Sequence, residues 1–136
     1  MMLVFNSLAS HNTMTTHTMN KVTVFGIPNC DTVKKARTWL TEHQVDFVFY
    51  DFKKSGVPAD QLHLWSAAVG WEKLLNRKGT TWRKLDPQTQ ASIQDADTAS
   101  ALMQANPSVI KRPVVVWGNG QVSVGFDADS FAARLP

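Results

Sequence analysis

The chain has 136 residues, 43% of them apolar and 18% charged, which is enough for one domain with its own core and excludes a disordered tail as the main feature. A formal charge of +3 suits small anionic ligands or an acidic protein partner; it is too weak and dispersed to argue for direct nucleic-acid binding, and no apolar run is long enough to enter a membrane. One cysteine, Cys30, excludes an internal disulfide and a cysteine-based metal cluster, and fits a reducing, cytoplasmic setting.

Met1–Thr18 is rich in Ser, Thr, Asn and His, carries no Lys or Arg, and lacks the basic start and long apolar run of a secretory signal. It reads as a disordered extension or as a misassigned start ahead of Met19, with His11 and His17 solvated. The body is then a single domain over 19–136. Val22 to Phe25 is a short apolar strand, broken by Gly26-Ile27-Pro28-Asn29. Thr32 to Glu42 has helical spacing, with Val33, Ala36 and Leu40 inward. Val45 to Phe52 is a second strand, aromatic on both faces and so expected to be covered on both. Together they make a βαβ unit with a right-handed crossover.

Pro58-Ala59-Asp60 opens a helix with Leu62, Trp65 and Val69 at core spacing and Gly70 as its stop. Leu74 to Gly79 follows, then a short helical piece with Trp82 and Leu85. Asp97-Thr98 is expected to cap a helix carrying Ala101, Leu102 and Ala105, ended by Asn106-Pro107. Val109 to Pro113 leads into a strand at Val114–Trp117, turned by Gly118-Asn119-Gly120 into Gln121–Phe126. Asp127 caps a last helix through Phe131 and Leu135. The order βαβ, helical block, ββα predicts an α/β thioredoxin-like fold with a mixed sheet and a helical insertion before the closing hairpin. In that fold the end of the first strand and the start of the first helix form the active edge, where Cys30 falls.

A thiol at a helix N-terminus faces unpaired N–H groups and the positive end of the helix dipole, and both favour the thiolate. Bringing a free cysteine to a pKa near 7 takes about 2 kcal/mol. An exposed helix terminus supplies ~0.3–1 kcal/mol, so a nearby cation would close the gap. Lys34 and Arg37 stand at i+4 and i+7 from Cys30 on one helical stripe, with Lys34 a single turn above the sulfur. The plainer reading makes Cys30 a small buried hydrophobe and Lys34, Lys35 and Arg37 a solvated face.

Four blocks carry a resemblance: Gly26-Ile27-Pro28-Asn29-Cys30-Asp31-Thr32-Val33-Lys34-Lys35-Ala36, Leu74-Leu75-Asn76-Arg77-Lys78-Gly79, Asn106 to Val115, and Val124-Gly125-Phe126-Asp127. In this order the chain from Met19 onward resembles the ArsC/Spx family, and most of all its YffB-type branch of glutathione-dependent thiol reductases. The resemblance implies that Cys30 is the attacking thiolate. It implies that Arg77 and Arg112 hold an oxyanion or carboxylate, and that Pro113 is a cis proline beside the thiol. Asn29 and Thr32 either orient loop donors or are simply turn and first-turn residues. The family's third arginine is missing, since Gly125-Phe126-Asp127 stands there, which speaks against arsenate and for a glutathione-linked reductase. The implied co-substrate is glutathione, with no bound cofactor and no metal. The implied partners are glutathione or a glutaredoxin-like protein and a small anionic or thiol/disulfide substrate. The alternatives are an Spx-like regulator that binds RNA polymerase and a glutaredoxin-coupled arsenate reductase.

Overall fold

Strand β1, Val22–Gly26, sits inside the sheet and sends Val22 and Val24 to one face and Phe25 to the other. The computed structural model describes residues 21–135, so the readings of Met1–Thr18 lie outside the described residues. Helix α1, Asp31–Glu42, returns the chain to β2, Phe47–Asp51, which pairs parallel to β1. Strand β3, Val114–Val116, pairs antiparallel with the other side of β1, and β4, Val122–Val124, closes the hairpin. The sheet order is β2-β1-β3-β4. That mixed sheet, with one parallel crossover and a closing hairpin, is the thioredoxin-like fold.

Six short helices and a turn of 3₁₀ helix lie between β2 and β3: α2 Phe52–Ser55, α3 Ala59–Val69, α4 Trp71–Leu74, α5 Thr80–Arg83, α6 Pro87–Ser92, α7 Ala96–Ala105 and the 3₁₀ turn Pro107–Val109. A last helix, α8 Ala128–Ala133, follows β4. Two apolar layers enclose the sheet. Val22, Val24 and Val115 meet Ala36 and Leu40 of α1 and Phe131 of α8 on one face. Phe25 and Val114 meet Phe52, Leu62, Trp65, Leu102 and Met103 of the insertion on the other. Alternation along β1 and β3 thus sorts the core into two compartments. No helix among the described residues is long and apolar enough to cross a membrane.

Several elements differ from the sequence expectation. The second strand stops at Asp51, whose carboxylate accepts the N–H groups of Lys53 and Lys54 and starts α2, which buries Phe52 completely. It is an edge strand: Phe47 and Phe49 pack against one core layer and Tyr50 against the other, but Val48 is 46% exposed, so the cover expected on both faces is only partial. The cap of α7 is Asp95, not Asp97. Asp95 accepts the Thr98 N–H while the Thr98 hydroxyl accepts the Asp95 N–H, and the helix therefore begins two residues sooner, at Ala96. Its buried face is Ala99, Leu102 and Met103, leaving Ala101 and Ala105 in solvent. Helix α6, capped by Asp86 ahead of Pro87, was hidden by its polar sequence. Strand β4 ends at Val124 because Gly125 turns at φ 84°.

Gly26 couples the sheet to α1. A Cβ placed on it would stand 2.9 Å from Val33 Cγ2, so only glycine lets the first turn of α1 settle against the end of β1. Gly26→Ala is expected to destabilise the protein by ~1–3 kcal/mol in denaturant unfolding, and Gly26→Ala with Val33→Ala by less than the sum of the two single changes. Unchanged stability in the first variant would mean that this contact has slack.

Candidate functional site

The turn after β1 delivers Cys30 as the N-cap of α1, with extended backbone at φ −145° and ψ 123°. The Lys34 N–H donates to the Cys30 carbonyl at 2.9 Å, which closes the first helical turn. Ser or Asp at this position would cap the free amides of that turn with an oxygen; the Cys30 thiol makes no side-chain cap hydrogen bond and lies beside them. Half-buried, Cys30 feels opposing pressures. Burial raises its pKa; the Val33 N–H, the hydrogen bond and positive charge of Arg112, and the Thr32 N–H lower it. The net result is a pKa below the ordinary thiol value.

Arg112 reaches the thiol because its own position is fixed. Its Nη1 donates to the carbonyls of Ser108 at 2.9 Å and Ile110 at 3.3 Å. The peptide bond to Pro113 is cis, and the Pro113 carbonyl accepts the Gly125 N–H at 2.8 Å. A bridge between Leu75 and Ile110 ties this segment to the insertion. Around it the Asn76 N–H donates to Val109 O at 2.8 Å, and the Lys111 N–H to Leu74 O at 2.7 Å. The result is a cleft of about 350 Å³ lined by Cys30, Thr32 and Arg112, by Asn76 and Lys111, and by Val124 to Asp127. An arginine, a lysine and amide donors around a thiol can hold a carboxylate or other small anion beside the sulfur.

Of the residues singled out in the sequence, Cys30, Thr32 and Arg112 share the cleft, with Pro113 buried directly behind. Asn29 is exposed in the turn before the thiol and does not line the cleft. Lys34 and Arg37 are not part of it. They border a separate hollow with Thr38 and Phe47, and the Arg37 guanidinium lies 4.1 Å above the Phe49 ring. A side chain at i+4 from the N-cap sits on the flank of the helix, whereas the sulfur looks past its end. Arg77 also points elsewhere. It stands in the adjoining groove, 5.6 Å from the centroid of Trp71 and 5.8 Å from that of Trp82. Asn76, Lys111 and Asp127 enter the cleft unforeseen. The first two arrive through the Leu75–Ile110 bridge, a long-range pairing with no local signature. The last was legible as the cap of α8, where it accepts the Ser130 N–H at 2.9 Å, and as part of the Gly125-Phe126-Asp127 segment that the resemblance sets where the family has an arginine.

A profile of the ArsC family matches residues 25–134. The chain belongs to the ArsC family. A solved YFFB protein is 46% identical over 85% of this chain and 99% of its own, with a TM-score of 0.78. An arsenate reductase (ArsC) related protein from Brucella melitensis is 47% identical over 83% of this chain and 92% of its own, with a TM-score of 0.66. The global transcriptional regulator Spx of Streptococcus pyogenes is 32% identical over 84% of each chain.

The thiolate is the reacting species, so the alkylation rate of Cys30 rises with pH through a midpoint below that of a free thiol. Arg112→Ala should move that midpoint up, and Lys34→Ala should leave it in place. Because folding lowers this pKa, Cys30 adds stability that is present above the unfolded thiol's pKa and is lost as pH falls through the folded value. A midpoint that follows Lys34 instead of Arg112 would contradict the assignment.

Proposed function

We propose that this ArsC-family protein is a thiol oxidoreductase that uses Cys30 as its nucleophile and glutathione as its co-substrate. The observation that carries the reading is the cleft that brings Cys30, Thr32 and Arg112 together, where the Val33 and Thr32 amides and the Arg112 guanidinium lower the thiol pKa against the effect of burial. In the proposed cycle the Cys30 thiolate attacks the glutathione sulfur of a glutathionylated substrate. The S–S bond breaks, the substrate leaves as a thiolate, and Cys30 holds glutathione in a mixed disulfide. A second glutathione thiolate then attacks the glutathione sulfur of that disulfide, releasing oxidised glutathione and regenerating Cys30. Glutathione supplies both electrons. No second cysteine exists in the chain to resolve the intermediate internally, so the resolving thiol comes from glutathione or a glutaredoxin-like protein.

Arg112 and Lys111 give the glutathione carboxylates a cationic wall, and the amides of α1 favour the thiolate as it leaves. Gly125 and Asp127 weigh against an arsenate reductase. No side chain at Gly125 reaches for an oxyanion, and Asp127 adds a carboxylate to the cleft. The likeness to Spx supports a second reading, a regulator that binds RNA polymerase in a cytoplasmic setting. A Cys-x-x-Cys switch would need its second thiol at Val33, and that side chain is fully buried. Such a regulator would therefore act without the switch.

Mass spectrometry after exposure to oxidised glutathione should find one glutathione adduct on the wild type and none on Cys30→Ser. In steady state Arg112→Lys should raise KM for a glutathionylated substrate several-fold, since a point charge replaces a planar fork. Turnover in Cys30→Ser, or retention of RNA polymerase on the protein with no reductase activity, would overturn the reductase reading.

A further inference from the structure

The Cys30 cleft opens at Val124, Asn76 and Lys111 into a second, larger hollow of about 570 Å³. Along one wall run Val122, Ser123 and Val124 in succession. Consecutive strand residues point to opposite faces, so a hollow that touches all three lies along the edge of β4, not across a face. Strand β4 ends the sheet order, and among the described residues its outer edge carries no strand. The Trp117 N–H donates to Gln121 O and the Gly125 N–H to Pro113 O, each at 2.8 Å. Residues 121, 123 and 125 therefore turn their peptide groups to β3, and those of Val122 and Val124 face outward into the hollow.

Charge surrounds that edge. Among the described residues, Lys73, Arg77, Lys78, Lys111 and Arg134 line the hollow, with Glu72 as the one carboxylate. Among the described residues the recorded ion pair is Lys21–Asp46, on the other side of the sheet, so none of these five cations is neutralised by a neighbour. With Arg112 and Asp127 of the adjoining cleft, the two hollows hold four more positive than negative groups, in a chain whose whole formal charge is +3. The positive excess of the molecule is thus gathered here, and the remainder is slightly acidic. Arg77 is held in place against Trp71 and Trp82, which lowers the entropy lost when it binds an anion. Arg134 is steadied by Gln121 Oε1 at 2.8 Å, while its Nε is buried without a partner.

We propose that this groove takes an extended, acidic segment of a protein substrate, which pairs with the open edge of β4 and carries its modified cysteine into the Cys30 cleft. Main-chain hydrogen bonds to Val122 and Val124 supply register, and the substrate's Asp or Glu side chains meet the lysines and arginines. The cations that invite an acidic strand repel a second copy of this basic edge. The inference rests on the reductase reading and names its substrate class: a glutathionylated cysteine within an acidic stretch. Glutathione alone fills the smaller cleft and leaves the groove unoccupied.

The test uses a labelled peptide in which a glutathionylated cysteine is flanked by alternating Glu and Val. One control replaces each Glu by Gln, and another keeps Glu but N-methylates alternate amides. Binding is read with the Cys30→Ser full-length protein and turnover with the wild type. The Glu peptide should bind more tightly than either control and lose affinity as salt rises. The double variant Lys73→Gln, Lys78→Gln should weaken the Glu peptide by about fivefold and leave turnover of a small neutral disulfide unchanged. Equal binding of the Glu and Gln peptides overturns the charge recognition. Undiminished binding of the N-methylated peptide overturns the strand pairing. Selective binding without turnover by the wild type overturns the reductase reading and leaves the groove standing.

Discussion

The structure depends on how closely the first turn of α1 approaches the end of β1. Gly26 permits that approach, Val33 fills the space it leaves, and Cys30 is thereby held at the mouth of the helix with the amides of Thr32 and Val33 beside its sulfur. A helix N-terminus is a modest electrostatic device, worth roughly 1 kcal/mol in solvent. Its value here comes from position, because the same turn is pinned by a buried strand and opposes a second fixed element carrying Arg112.

That second element is built from backbone. Arg112 spends one nitrogen on the carbonyls of Ser108 and Ile110, and the cis peptide bond that follows turns the chain into β3. The Leu75–Ile110 bridge and the amides around it bind the segment to the insertion, so helices inserted between β2 and β3 become part of the site. The balance at the sulfur is correspondingly fine. Burial pushes the thiol up, and the amides and one guanidinium bring it down. Asp127 limits how much anionic charge the cleft accepts, whereas in the groove beyond Val124 five cations outweigh the carboxylate of Glu72.

Much of this was legible in the sequence. The strand, turn and helix around Cys30 were announced by Gly26 and Pro28, the stop of α3 by Gly70, the hairpin by Asn119-Gly120 and the start of α8 by Asp127. Each is a local rule with a local cause. What escaped was long-range. The helical stripe of Cys30, Lys34 and Arg37 is real on a wheel, but the sulfur looks beyond the helix end, and Arg37 finds Phe49 instead. Arg77 was placed at the thiol by resemblance, yet it turns to two tryptophans whose proximity no spacing revealed. Asn76 and Lys111 flank the very arginines singled out, and only the pairing of Leu75 with Ile110 brings them into the cleft. Aromatic alternation in β2 foresaw packing on its two faces but not its place at the sheet edge, which leaves Val48 exposed.

Because the chain has one cysteine, its ionisation can be followed without ambiguity. The most direct measurement is the ultraviolet absorbance of the thiolate against pH, in the folded protein and in denaturant. A midpoint lower in the folded protein, and shifted towards the denatured value by loss of Arg112, is the result expected. Coincident midpoints in the two states would show that neither the helix mouth nor the arginine acts on the sulfur.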